Sequence, residues 1–296
     1  MIYLDKCPIC KAKQTEEFLQ LKDYFLTQED FSIVKCKICG FRFTNPIPTE
    51  EAIGGYYHSD EYISHSNAKK GLINSIYQIV RNYSIDKKVL LVKDYKLQGK
   101  VLDIGCGTGE FLNALSKKGF DTKGIEPNES ARNQAIKNYN LIVNEEKEIH
   151  NFQSGSFDII TMWHVLEHVY RLEDRLEQIE NMIKPGGFLL VAVPNPDSWD
   201  AKKYKKYWAA YDAPRHLYHF GQTDIVNLFD RFSFELIKTV PMKFDSYYVS
   251  LLSEKYKNGS SRIIPALING FRSNFYARNH QMSYSSLIYI LKPKKA

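Results

Sequence analysis

The spacing of apolar residues divides the chain into regions of different rhythm. From residue 100 onward, short apolar runs alternate with helical periods. Val101-Leu102-Asp103-Ile104 reads as a short buried strand, followed by a glycine loop and a helix over about 109–118. Lys123-Gly124-Ile125-Glu126 ends a second strand, Ser130–Tyr139 reads as helix, and 141–143 as a weak third strand. Phe157–Trp163 is a fourth strand. Leu172, Leu176, Ile179 and Ile183 form one apolar helical stripe, which Pro185-Gly186-Gly187 should stop before a fifth strand at Phe188–Val193. Thr223 reads as the cap of a helix running to Phe232. Strands are expected at Phe234–Val240 and Ser286–Leu291. Strand–helix alternation with short connections predicts an α/β fold, an open, mostly parallel sheet wrapped by helices.

The rhythm is different on either side of the second strand pair. Residues 49–70 are polar, carry Tyr56, Tyr57 and Tyr62, and read as a linker. A helical period starts near 71 with Leu72, Ile76 and Val80. Residues 194–222 break the alternation with prolines, lysines and aromatics. The expected division is 1–45 as one module, 46–98 as linker and N-terminal helices, and 99–296 as the main domain with an insertion at about 194–222.

Composition narrows the class. The chain has 296 residues, 44% of them hydrophobic and 25% charged, which is the balance of a folded globular protein. No apolar run reaches the roughly 18 residues of a membrane span, and the N-terminus lacks a signal-peptide core, so a cytoplasmic location is expected. The net charge of +6 permits an anionic substrate without demanding nucleic acid.

Four of the five cysteines are paired: Cys7-Pro8-Ile9-Cys10 and, after 25 intervening residues, Cys36-Lys37-Ile38-Cys39-Gly40. Two residues between cysteines let one tight turn aim both sulfurs at a single point. Two such turns close the tetrahedron that zinc prefers. Disulfides would need an oxidising compartment, and a redox pair would sit inside a βαβ unit. Neither context is present. Structural zinc on Cys7, Cys10, Cys36 and Cys39 is expected, with an iron–sulfur centre as the second reading and no open position for catalysis on the zinc. Cys106 reads as a small packing residue.

Asp103-Ile104-Gly105-Cys106-Gly107-Thr108-Gly109 lies between a strand and a helix, where glycines let the backbone approach a ligand closely. Glu110 follows, and a carboxylate at a helix start repels a pyrophosphate. The loop therefore suits a cofactor without phosphate and with a positive end, as S-adenosylmethionine has. Glu126, at the end of the second strand, can accept hydrogen bonds from both ribose hydroxyls.

These residues, with Gly124-Ile125-Glu126-Pro127, Phe157-Asp158 and Lys184-Pro185-Gly186-Gly187, resemble a class I S-adenosylmethionine-dependent methyltransferase over residues 99–193. The resemblance implies a Rossmann-like seven-stranded sheet with its last strand antiparallel. The cysteine pairs, Trp163-His164-Val165-Leu166-Glu167-His168-Val169 and Pro214-Arg215-His216-Leu217-Tyr218-His219-Phe220 extend it to a bacterial, sugar-methyltransferase-like subgroup with a zinc-binding module. Some members methylate nucleotide-linked sugars. The acid that often approaches the adenine has only Asn144 and Glu145 as candidates.

The cofactor candidates are therefore Asp103, Gly105, Gly107, Gly109, Glu126 and Trp163. His216 is the expected base, with His164 and His219 as rivals. His164, Glu167 and His168 also spell the H-x-x-E-H pattern of a zinc protease, but here it emerges from a buried strand behind a cofactor loop. His168 and Glu167 equally suit packing of a helix start. The 194–222 segment, with Asn195, Trp199, Trp208, Tyr211 and Arg215, would lie over the cofactor as a lid. Arg215 would suit a phosphate or carboxylate on the acceptor, and Lys202, Lys203, Lys205 and Lys206 would be solvated. A small-molecule acceptor is the leading expectation. The rivals are RNA methylation with the zinc module as a grip, and a binding module without turnover. Interspersed acids (Glu16, Glu17, Asp23, Glu29, Asp30) weigh against nucleic acid. Oligomeric state is open.

Overall fold

The computed structural model describes residues 1–57 and 72–294, with side chains from Arg81 onward in the second stretch. Tyr62 and the Leu72–Ile76–Val80 stripe lie outside the described side chains. Helix α1 spans Leu72–Tyr95.

Seven strands form the main sheet: β4 (Lys100–Ile104), β5 (Asp121–Ile125), β6 (Ile142–Asn144), β7 (Phe157–Trp163), β8 (Ile183–Pro194), β10 (Phe234–Pro241) and β11 (Ser286–Pro293). Their order is β10-β11-β8-β7-β4-β5-β6. Pairings from β8 to β6 are parallel, and β11 runs antiparallel to both of its neighbours. The fold is the Rossmann-like one expected, antiparallel final strand included.

Side-chain alternation explains the layers. Leu102, Ile160 and Leu189 face one way, toward helix α4 (Leu172–Met182) and helix α6 (Gln222–Asp230). Val101, Ile159 and Leu190 face the other way, toward Val89 and Val92 of α1 and Phe111 and Leu115 of helix α2 (Glu110–Ser116). Both faces are apolar because both are covered. Cys106 packs with Leu112, Ala135, Leu141 and Val143 beneath helix α3 (Glu129–Tyr139).

Local boundaries differ in informative ways. Helix α4 ends at Met182, whose side chain continues the buried stripe, and Ile183 already begins β8. Pro185-Gly186-Gly187 therefore lies within the early part of β8 instead of stopping the helix. Thr223 is not the cap of α6. Gly221 occupies that position, and its N–H donates to the Asp224 carboxylate at 2.8 Å.

The N-terminal segment builds a second sheet. β1 (Thr15–Lys22), β2 (Asp30–Cys36) and β3 (Arg42–Thr44) are joined by β9 (Tyr218–His219), a two-residue strand from the far part of the chain. Arg42 pairs with His219 and Phe43 with Tyr218. Phe41 and Phe43 join the main core. Leu21, Phe31 and Ile33 pack on Tyr204, Trp208 and Tyr211 of the 194–222 segment and on Val249. That segment carries the short helix α5 (Trp199–Tyr204). Lys202, Lys203, Lys205 and Lys206 are exposed. Helices α7 (Asp245–Asn258) and α8 (Ile263–Asn279) fill the stretch before β11.

One buried ion cluster fastens the N-terminal segment to the 194–222 segment. Arg215 is 2% exposed and donates to Asp23 at 2.8 Å, to Asp212 at 2.6 Å and to the Tyr56 carbonyl at 3.0 Å. Breaking a buried pair strands the partner charge, at a cost of about 3–5 kcal/mol. Arg215→Met is expected to lower stability by that amount, read from the midpoint of urea unfolding. Adding Asp23→Asn should recover part of the loss. Additive losses in the double variant would mean that the two groups are not coupled.

Candidate active site

The site forms where the strand order reverses. The chain runs from β4 outward through β5 and β6, then returns to β7 on the other side, so a crevice opens past the ends of β4 and β7. The glycine loop after β4 and His164 after β7 border it.

Gly105 has φ +73°, and a Cβ there would stand 2.4 Å from Val165. Gly109 caps α2 with φ +84° and is held equally tightly by Leu141 and Ala135. These two glycines are required by packing. Gly107, with φ +55°, has open space where a side chain would stand. The Gly107 N–H donates to Glu126 Oε2 at 2.8 Å, and the Asn128 N–H donates to Oε1 at 2.9 Å. Glu126 is thereby fixed beside the loop with further lone pairs available. Burial raises its pKa, against the pull of the Asn128 and Gly107 N–H groups. Asp103, 1% exposed, accepts a 2.6 Å hydrogen bond from Thr161 Oγ1. Burial pushes its pKa up to about 7, while Thr161 and Lys88 oppose the rise. The open backbone at Gly107 and the anchored Glu126 fit a ribose-bearing, phosphate-free cofactor. Glu110 is engaged by Arg81 at 2.6 Å. Of the adenine candidates, Glu145 pairs with Lys147 at 2.7 Å, and the Asn144 carbonyl accepts the Glu126 N–H.

Trp163 ends β7 edge-on to Phe111, with Lys88 Nζ 4.5 Å from its ring centre. Lys88 and Asp245 had no sequence signal, because each belongs to a helix remote from every motif. Burial lowers the Lys88 pKa, and Asp245 and Asp103 resist that shift.

The histidines separate by environment. His164 adopts φ +58°. Its Nδ1 lies 3.4 Å from Glu167 Oε1 and its Nε2 3.2 Å from Asp245 Oδ2. Burial alone would lower its pKa, but hydrogen bonds to Asp245 and Glu167 raise it to about 9. His216 is buried and directs Nδ1 to the Ala210 carbonyl at 2.9 Å. Its Nε2 lies 4.0 Å from Glu167 and 3.9 Å from Asp212. His219 is 3% exposed, with Nε2 3.2 Å from Thr44 Oγ1 on the neighbouring strand β3, and burial holds its pKa well below the usual range. His168 directs Nδ1 to the Arg215 carbonyl at 2.9 Å and contacts the Tyr57 hydroxyl at 3.0 Å. Burial and the neighbouring His216 push its pKa down to about 4. His164, Glu167, His168 and His216 thus form one continuous group, with His219 outside it.

Arg215 is consumed by Asp23 and Asp212 and has no free face for an acceptor anion. Trp208 is likewise committed: it is 2% exposed and donates its indole N–H to Asp200 at 2.8 Å.

The four N-terminal cysteines converge. Their sulfurs lie within 4.8 Å of one another, with Cys7–Cys39 at 3.6 Å and Cys10–Cys36 at 3.5 Å. A tetrahedron with 2.3 Å zinc–sulfur bonds has edges of about 3.8 Å. Each turn ends in a left-handed residue, Lys11 at φ +62° and Gly40 at φ +80°. The cluster therefore fits zinc, and all four sulfurs would be used.

Comparison with known proteins agrees with this geometry. A family model described as a methyltransferase domain matches residues 77–239. The ubiquinone biosynthesis O-methyltransferase of Colwellia psychrerythraea is 32% identical over 127 residues, 40% of this chain and 48% of that protein. The Shewanella halifaxensis protein of the same name is 34% identical over 103 residues, 32% of this chain and 44% of its own. The chain thus spans about half the length of the curated relatives it matches. Among solved structures, magnesium protoporphyrin IX methyltransferase from Synechocystis, with bound SAH, aligns at TM-score 0.54 and 15% identity, covering 82% of this chain and 98% of its own. A possible histamine N-methyltransferase from Thermotoga maritima aligns at 0.52 and 20%, covering 76% and 96%. At these identities the two structures share the fold.

Proposed function

The chain belongs to the class I methyltransferase-domain family, and from that premise we propose that it transfers a methyl group from S-adenosylmethionine to a small-molecule acceptor. The supporting observation is the crevice itself: Gly107 and Glu126 border one side and His164 the other. In this reading Asp103, Gly105, Gly107, Gly109, Glu126 and Trp163 hold the cofactor, which supplies the electrophilic methyl when bound. Glu126 takes the ribose hydroxyls, and Asp103 lends negative charge beneath the loop. Residues 1–45 form the zinc module, 46–98 the connection, and 99–296 the methyltransferase unit. The 194–222 segment covers the module's sheet.

His164 is the base we favour among the three candidate histidines. It stands at the β7 end, its side chain is 32% exposed, and two carboxylates orient it. An acceptor hydroxyl or acidic carbon must lose a proton as the methyl arrives, and proximity to a positioned base supplies that. His216 and His219 are more deeply enclosed. A nucleotide-linked sugar is the acceptor class we propose first, on the strength of the motif resemblance. A phenolic hydroxyl is the second, because the curated relatives carry the name O-methyltransferase. RNA is disfavoured, since β2 and β3 of the module's sheet pack against the rest of the chain and the exposed β1 carries Glu16 and Glu17.

The test is methyl transfer from labelled cofactor to these two acceptor classes. His164→Asn should abolish turnover and leave cofactor binding within about threefold, short of one factor of ten, or 1.4 kcal/mol. The working base is neutral, and His164 is neutral only above a pKa of about 9. Turnover should therefore rise with pH, reach half its maximum near 9 and level off above it. Asp245→Asn removes one stabilising carboxylate and should move that limb toward acid. A profile indifferent to Asp245 would remove His164 from the role.

A further inference from the structure

Glu167 is an anomaly in the interior. It is fully buried, with only the long 3.4 Å contact from His164 at Oε1 and no partner at Oε2. A buried carboxylate so thinly satisfied costs several kcal/mol, so further positive charge is expected against it. His164 approaches Oε1 from one side at 3.4 Å. On the other side stand two imidazoles whose tautomers are fixed by the backbone. A carbonyl can only accept, so Nδ1 of His168 donates to the Arg215 carbonyl and Nδ1 of His216 to the Ala210 carbonyl. In the neutral ring each Nε2 is then a lone pair. His216 Nε2 and Glu167 Oε1 stand 4.0 Å apart. In that state both are acceptors, with no proton between them.

We propose that Glu167, His168 and His216 form a second metal site, separate from the four cysteines, that takes one first-row divalent cation such as Zn²⁺. Ligand atoms from the three residues already lie within 4.8 Å of one another. Zinc bonds of 2.0–2.1 Å set ligand separations of about 3.4 Å, so side-chain adjustments of up to about an ångström close the site. Two imidazoles with one carboxylate select a transition ion over Mg²⁺ or Ca²⁺. Imidazole nitrogens that donate to backbone carbonyls are the outer support that metal-bound histidines commonly have. Asp212, 3.9 Å from His216 Nε2, adds negative charge to the pocket. Three protein ligands leave a coordination position open, and His168 is only half-buried, which provides an entry path. Glu167 touches both His164 and this site, so the cation would stand on the acceptor side of the crevice.

The alternative occupant is a proton. The proton that His164 carries beside Glu167 would balance the carboxylate without any metal. Zinc titration of the full chain separates the two. The protein is first loaded with zinc, passed through a desalting column and assayed for metal. A second zinc equivalent should then bind at micromolar concentration. His168→Gln and Glu167→Gln should each weaken that equivalent by about 10–100-fold or more, while the cysteine-bound zinc and S-adenosylmethionine binding remain. His280→Gln, which alters an exposed histidine elsewhere, should keep both equivalents. Wild-type protein that takes up no second equivalent would overturn the proposal, as would a second equivalent lost with His280 and kept without His168.

Discussion

Glu126→Ala is expected to weaken S-adenosylmethionine binding by about a hundredfold or more. Both oxygens of Glu126 already anchor the cofactor side of the crevice, one to the Gly107 N–H and the other to the Asn128 N–H. Alanine removes the acceptors for the ribose hydroxyls, and it also releases the loop that those N–H groups fix. Hydrogen bonds to a charged group contribute about 1.5–3 kcal/mol each, and 1.4 kcal/mol is a factor of ten. Two such contacts give the stated loss. Calorimetric titration of the folded variant measures it directly. Glu126→Gln retains one oxygen acceptor and should fall between the two. Wild-type affinity in the alanine variant would move the ribose away from Glu126 and remove the main support for the cofactor reading.

Removing zinc is the second change with a large expected effect. The sulfur spacings of 3.5 and 3.6 Å leave room for the ion and for little else. Cys7 and Cys36 are buried among the residues that join the module to the main core. Structural zinc binding is worth roughly 10 kcal/mol or more in isolated fingers. Chelation should therefore unravel the β1–β3 segment. The damage should spread, because β3 pairs with β9 and Asp23 holds Arg215. We expect a chelator-treated sample to lose a large part of its thermal stability and to regain it when zinc is restored. Cys36→Ser should reproduce the loss without chelator. A thermal midpoint indifferent to both treatments would mean that the cysteines are not metal ligands.

The parts of this molecule legible in its sequence are those governed by local rules. β7 falls at Phe157–Trp163, as its apolar run predicts, because a strand buried on both faces needs a mostly apolar sequence, interrupted here only by Asp158 and Thr161. The cysteine spacing is equally local. What escaped depends on distant partners. β9 is two residues long, and nothing in Tyr218-His219 announces that Arg42 and Phe43 will pair with it. Arg215 reads as an anion binder because guanidinium suits phosphate, but Asp23, 192 residues away, takes it first. Helices α7 and α8 were missed for a different reason. α8 leaves Ile264, Leu267, Phe271 and Phe275 exposed, so its apolar residues do not form the core-facing stripe that marks a helix. Asp245 and Lys88 reach the site from such elements, and no motif contains them.

The pairing of β3 with β9 also bears on how the chain assembles during synthesis. The segment that carries the cysteines leaves the ribosome well before β9, and Thr44 meets the His216 carbonyl 172 residues later. At about 5–20 residues per second, β3 presents an unpaired edge for many seconds, and exposed edges recruit other chains. The nascent protein therefore passes through a window in which its N-terminal sheet is metal-competent but unfinished. A ribosome stalled before residue 215 would hold that intermediate for study, with the cysteines in place and the Arg215 latch not yet made.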